Sequence, residues 1–207
     1  ITAEVRARFP GIQVGIHVHN DADLAVANTL EAVRAGADHV QGTINGFGER
    51  AGNANLVSII PALELKMGRA CVGAANLKKL FAVSAVANDL VNVRGDPRQP
   101  YVGHNAFSHK AGAHVNAVQK NPHTFEHIPP EAVGNERHIL VSELSGGSNV
   151  LMKAIEVGIP GLAADKAAVR RVLDEVKRRE KAGYSYESAD GSFKILLQKV
   201  LNKHRSF

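Results

Sequence analysis

Two histidines one residue apart, His17 and His19, close an apolar run in the stretch Gly15-Ile16-His17-Val18-His19-Asn20-Asp21. Imidazole nitrogens bind borderline metal ions at about 2.0–2.1 Å, and a strand turns residues i and i+2 to one face. In an extended run both rings therefore converge on a single ion. The competing reading is a pair of polar residues on an exposed strand. Context favours the metal: Ile12, Val14, Ile16 and Val18 alternate with Gln13, Gly15, His17 and His19, so the opposite face is wholly apolar and suited to a covering layer of helices. Two histidines alone are short of a catalytic ligand set, and a carboxylate is expected to complete it. Asn20 and Asp21 can orient an imidazole or cap the following helix, and capping is the favoured role.

The loop Asn45-Gly46-Phe47-Gly48-Glu49-Arg50-Ala51-Gly52-Asn53 offers a second group of chemistry-bearing residues. Gly48 and its neighbouring glycines let backbone approach a ligand closely, and a left-handed turn explains them equally well. Glu49 and Arg50 can ion-pair or hold a neighbouring loop, while Asn53 can aim an amide at a metal or its substrate. A dinucleotide fingerprint is excluded by the wrong third glycine and the missing distal acid. Further along, Ala106-Phe-Ser-His-Lys-Ala-Gly-Ala-His-Val-Asn-Ala-Val118 carries His109 and His114, read here on one helix and on different faces of it. His114, flanked by alanines, can enter a tight site as a general acid or base; a core or interface histidine is the equal alternative.

These residues need elements to hold them. Residues 1–9 read as a helix ended by Pro10-Gly11, 12–20 as a strand, 22–35 as a helix closed by Gly36, 38–44 as a second strand and 54–67 as a helix. Strand, helix, strand, helix with short connections implies parallel strands and a right-handed crossover. The histidines then sit at the carboxyl end of a strand, where parallel α/β folds place their sites. A (β/α)8 barrel needs about 250 residues. The expected fold class is thus α/β, with about the last two βα units of such a barrel followed by mostly helical subdomains. From Asn76 the spacing of Leu77, Leu80, Phe81, Ser84, Ala87 and Leu90 is helical. Helices are expected over about 108–119 and 148–157, a short strand over 137–142, and two amphipathic helices capped by Asp165 and Ser188. The start at Ile1, already inside a helix, suggests a piece of a longer chain. The expected division is 1–70 for the barrel portion, 71–130 for a helical subdomain and 131–207 for a second α+β linker subdomain.

Composition sets the background. The 207 residues are 44% hydrophobic and 22% charged, with a net charge of +5 and one cysteine, Cys71. That is an ordinary globular α/β profile without an intrachain disulfide, and the absence of a long apolar run or leader gives a cytoplasmic expectation without membrane contact. Residues 166–207 carry 11 Lys/Arg against 5 Asp/Glu, without interleaved aromatics, so a solvated face is expected rather than a nucleic-acid track.

The blocks HVHND at 17–21, TINGFGERAGNANL at 43–56, AFSHKAGAHVNAV at 106–118 and SELSGGSNV at 142–150 occur in one order and span nearly the whole chain. As a set they resemble the α-isopropylmalate, homocitrate and citramalate synthases, metal-dependent TIM-barrel acyltransferases. The closing GYSYESADGSFKILL at 183–197 is most similar to the citramalate synthase type. The resemblance implies His17 and His19 as metal ligands, Asn53 at or near the metal, Gly48, Glu49 and Arg50 as substrate-binding residues, and His114 as the catalytic histidine reaching the partner's site in a homodimer. It also implies a divalent metal (Zn, Mn or Mg), acetyl-CoA as co-substrate and a 2-oxo acid as acceptor. The condensation would be of Claisen type with thioester hydrolysis, in branched-chain amino-acid biosynthesis. The family's first-strand acidic motif and the regulatory domain have no match here, nor does the tyrosine of the second subdomain, so these 207 residues alone are expected to be inactive. Two alternatives remain: a metal-dependent lyase or aldolase of the same barrel superfamily, and a non-catalytic dimerisation or regulatory module.

Overall fold

The computed structural model describes residues 1–142, 145–187 and 189–201. Glu143 and Leu144 of the SELSGGSNV block, and Ser188, the expected cap of the last helix, lie outside the described residues. The chain forms two compact units, one of Ile1–Ala106 and Ile128–Glu136, the other of Phe107–His127 and the described residues from Arg137 onward.

The first unit opens with α1 (Thr2–Arg8), β1 (Gly15–His17), α2 (Ala25–Arg34), β2 (His39–Gln41) and α3 (Leu56–Lys66). β1 and β2 are parallel, with Gly15 opposite His39 and His17 opposite Gln41, as a crossover through α2 requires. Two strands are marginal alone; their apolar side is covered by a cluster of Ala25, Ala54, Ile59 and Leu63, joined by Val18 and Val40. The expected alternation is realised over a shorter stretch than 12–20. Only Gly15–His17 is strand, and Ile12 is 58% exposed. The second strand likewise stops at Gln41, because the chain turns through a 3-10 segment, Ile44–Gly46, in which Asn45 adopts φ 60°. Asn55 caps α3 by accepting from the Val57 N–H. Beyond it lie α4 (Ala74–Leu77) and α5 (Leu80–Leu90), where Leu77, Leu80 and Ser84 are buried and Leu90 is exposed.

The second unit contains β3 (Ser108–His109), α6 (Gly112–Lys120), β4 (His138–Ile139), α7 (Gly147–Glu156), α8 (Lys166–Lys181) and α9 (Asp190–Val200). β3 and β4 are again parallel, joined through α6. The expected helix over 108–119 is corrected at its start: Ser108 and His109 pair with His138 and Ile139 as strand, and the helix begins only at Gly112. Asp165 caps α8 by accepting from the Ala168 N–H. Val172 and Val176 of α8 pack with Phe193 and Leu197 of α9 and Val150 of α7. Each such side chain, fully buried, contributes roughly 1.5–3 kcal/mol. Among the described residues the sheets are two-stranded and no closed barrel forms. No helix among them is long and apolar enough to cross a membrane.

Candidate metal centre

The candidate centre is built where the end of β1 meets the loop after β2. The chain leaving His17 runs on to His19, which forms an antiparallel bridge with Asn53. Two backbone bonds lock this meeting: the Ala54 N–H donates to the Val18 carbonyl at 3.1 Å and the Asn20 N–H to the Gly52 carbonyl at 2.8 Å. The rings of His17 and His19 stand edge to face with centroids 5.3 Å apart, so the i, i+2 spacing does bring the two imidazoles together.

Asn53 aims its amide in a defined way. Its Nδ2 donates to the Phe47 carbonyl at 3.1 Å, and that carbonyl also accepts from the Thr43 hydroxyl at 2.5 Å. With the amide nitrogen committed, Oδ1 is the atom left over. It is buried and has no hydrogen-bond partner among the described residues, and neither does the buried Nδ1 of His19. An unpaired buried polar atom costs about 1–3 kcal/mol, so two of them on residues paired by one backbone bridge require an explanation. An amide oxygen and imidazoles suit a divalent ion of the Zn or Mn class, and these donors fit one. Among the described residues no group of three or more His, Cys, Asp or Glu side chains converges as a metal-binding cluster.

The glycines of the loop have separate steric reasons. A Cβ on Gly48 would lie 2.2 Å from Asn53 Nδ2, and one on Gly52, at φ 95°, would lie 2.1 Å from the Gly46 carbonyl oxygen. Asn45 pins the loop to α5 and the segment after it. Its Nδ2 donates to the Ser84 carbonyl and to Asn88 Oδ1, both at 2.9 Å, and its Oδ1 accepts from the Ser84 hydroxyl at 2.6 Å and from Gln99 Nε2 at 3.1 Å.

Arg50 and Glu49 are placed differently from each other. Arg50, at φ 57°, donates Nε and Nη2 to the two carboxylate oxygens of Asp21 at 2.8 and 2.9 Å. That hydrogen bonding, aided by the guanidinium charge, holds the Asp21 carboxyl below its ordinary range. Glu49 is largely exposed and reaches only 4.0 Å from Arg50 Nη1. Of the two capping candidates, Asn20 accepts from the Ala25 N–H at the start of α2, whereas Asp21 is taken by Arg50.

His114 belongs to the second unit, on α6, where it is exposed and stacks at 4.3 Å centroid separation on the half-exposed Phe125. It is not a core histidine. The buried one is His109, whose Nε2 lies 2.9 Å from Glu126 Oε1. Arg137 completes this group, bonding both Glu126 oxygens at 2.5 and 2.6 Å. Burial raises the Glu126 carboxyl, but the bonds from Arg137 and His109 outweigh it and leave the carboxyl lowered. Sequence reading missed this triad and the Asn45 hub, because their partners stand up to 54 positions apart.

Comparison with known proteins finds matches along most of the chain. Residues 1–87 match the HMGL-like family and residues 101–183 match the family described as homocitrate synthase post-HMGL domain-like. The chain is similar to an (R)-citramalate synthase of Geobacter sulfurreducens, 49% identical over all 207 residues and covering 39% of that protein. It is also similar to one of Aquifex aeolicus, 48% identical over 96% of this chain and 38% of that protein. A 2-isopropylmalate synthase of Sulfolobus acidocaldarius is 41% identical over 92% of this chain and 47% of its own length. The chain thus spans about two-fifths of the length of the curated citramalate synthases it matches. These matches give the chain an HMGL-like segment over residues 1–87 followed by a homocitrate synthase post-HMGL domain-like segment over residues 101–183.

Proposed function

We propose that this chain is part of an acyltransferase that condenses acetyl-CoA with a 2-oxo acid, pyruvate giving citramalate, with 2-oxoisovalerate giving 2-isopropylmalate as the second candidate. Residues 1–70 would be the C-terminal portion of a TIM-barrel catalytic domain, 71–130 a helical subdomain and 131–207 a linker subdomain, in a cytoplasmic homodimer. The observation that carries the reading is the pair of orphaned buried atoms, His19 Nδ1 and Asn53 Oδ1, beside His17. The names of the relatives supply the reaction class, and five citramalate synthases at 45–50% identity favour pyruvate over 2-oxoisovalerate.

In this reading His17, His19 and Asn53 hold a divalent ion. Such an ion, when bound, supplies positive charge that orients and polarises the carbonyl of a 2-oxo acid. The chain's own residues do the rest. Gly48 leaves the space that Asn53 needs. The loop 45–53 brings backbone close to the acceptor, with Glu49 exposed at its tip to meet a polar substrate group. His114, exposed and steadied by Phe125, moves a proton during the condensation, because an imidazole can both donate and accept one.

The test is release of free CoA by the protein expressed from its complete reading frame, with pyruvate and with 2-oxoisovalerate, before and after metal stripping. Faster release with pyruvate, lost on stripping and restored by Mn2+, is expected. Equal release without any 2-oxo acid, or none with either, would defeat the proposal.

A further inference from the structure

We propose that the Arg50–Asp21 ion pair is a positioning device for the candidate centre and acts through the Asn53 side chain, without itself touching substrate. This rests on the reading that His17, His19 and Asn53 hold a divalent ion.

The geometry is a short antiparallel zipper. His19 is bridged to Asn53, the Asn20 N–H donates to the Gly52 carbonyl, and Asp21 takes both guanidinium donors of Arg50. Three consecutive residues of one segment thus meet residues 53, 52 and 50 of the other, and the ion pair is the outermost fastening. On the loop side, the Gly52 N–H closes a tight turn to the Glu49 carbonyl at 2.9 Å, and the Asn53 N–H closes the base of the loop to the Gly46 carbonyl at 3.0 Å. Arg50 sits inside that tight turn with φ 57°, so its side chain is thrown back over the segment that follows His19. A pull on Arg50 is therefore a pull on the turn whose next polar side chain is Asn53.

The pair is built for direction rather than for stability. Its side chains are 57% and 51% exposed, where ion pairs contribute little to folding. The two-bonded fork nevertheless fixes orientation, which a lysine ammonium would not reproduce. Residues that orient a metal's ligands from behind characteristically alter metal affinity without forming part of the ligand set. Asp21 and Arg50 thereby do for Asn53 what a carboxylate does for a ligating imidazole.

The test uses the protein from its complete reading frame, stripped of metal and titrated with Mn2+ by calorimetry. Arg50→Ala, Asp21→Asn and Arg50→Lys should each weaken Mn2+ binding about tenfold or more. The exchange Asp21→Arg with Arg50→Asp should recover affinity to within about threefold, since aspartate tolerates the left-handed conformation at position 50. Thermal midpoints of the metal-free variants should stay within about 2 °C of wild type. In metal-free protein the side-chain amide signal of Asn53, followed by NMR, should move toward that of a free amide in Arg50→Ala. Tight Mn2+ binding by wild type and Arg50→Ala alike, with an unmoved Asn53 signal, overturns the positioning role alone. Loss of affinity that tracks a large fall in thermal midpoint assigns the pair a structural role and also overturns it. A wild-type protein that binds no Mn2+ removes the metal reading, and the proposal with it.

Discussion

Gly48 stands against the amide of Asn53, so close that a methyl group at position 48 would lie 2.2 Å from Nδ2 and 2.9 Å from Cγ. The relationship makes an exposed loop glycine a determinant of where a candidate ligand points. Gly48→Ala should push the Asn53 side chain off the Phe47 carbonyl. The expected result is at least a tenfold loss of Mn2+ affinity by calorimetry, with a stability cost of about 1–2 kcal/mol by denaturant unfolding. Unchanged affinity would show that Asn53 is not a ligand.

Direct binding is checked by thermal unfolding with and without metal. A ligand that binds only the folded state stabilises it by about 2.7 kcal/mol at a concentration a hundred times its Kd. Added Mn2+ should raise the midpoint of the wild-type protein, and chelator should reverse the rise. His17→Ala and His19→Ala should each abolish most of it. His39→Ala is the control: it alters an exposed histidine on the neighbouring strand, and its metal response should match wild type.

Asn45 spends both of its polar atoms on α5 and Gln99. Asn45→Ala leaves the buried Ser84 hydroxyl without that acceptor, and alanine tolerates φ 60° less well than asparagine. The predicted loss is about 2–3 kcal/mol of unfolding free energy. Asn45→Asp, which keeps Oδ1 but not the two donor bonds, should lose about half as much.

The His109–Glu126–Arg137 group should give the second unit an acid-sensitive step. Glu126 has its carboxyl lowered in the folded state, so its contribution is fully present above the unfolded glutamate value and is lost as pH falls through the folded one. The transition therefore lies below the ordinary glutamate range. Glu126→Gln should cost about 2–3 kcal/mol near pH 7, at the low end for a broken buried pair because Arg137 is 30% exposed. It should also flatten the fall in stability below pH 4.5, the ordinary carboxyl value. Parallel pH profiles for variant and wild type would refute the assignment.

Much of the local structure was legible in the residues themselves. The parallel βαβ order, the Asp165 cap and the apolar stripe of α8 follow from short-range rules that need only neighbours in sequence: alternation, capping and helical spacing. So does the pairing of His17 with His19, since a period of two aims both rings alike. Strand ends were not legible. The pattern continues through Ile12 and Val14, yet the paired register with β2 covers only Gly15–His17, and a ladder ends where its neighbour ends. His109 was misplaced for the same reason: a helical composition around it gave way to a pairing with Ile139, thirty residues on.

The division within the candidate centre is the clearest case. Sequence alone determined which donors exist and that two of them lie side by side, because that depends on backbone geometry over three residues. Only the tertiary structure decided that Asn53 commits its amide nitrogen to Phe47 and keeps its oxygen buried, that Gly48 leaves room for that amide, and that Arg50 is engaged by Asp21. Each of those outcomes depends on which carbonyl, carboxylate or empty space the fold brings opposite a side chain. Hydrogen-bond direction and steric exclusion act over a few ångströms of space, and nothing in residue order fixes which atoms will meet there.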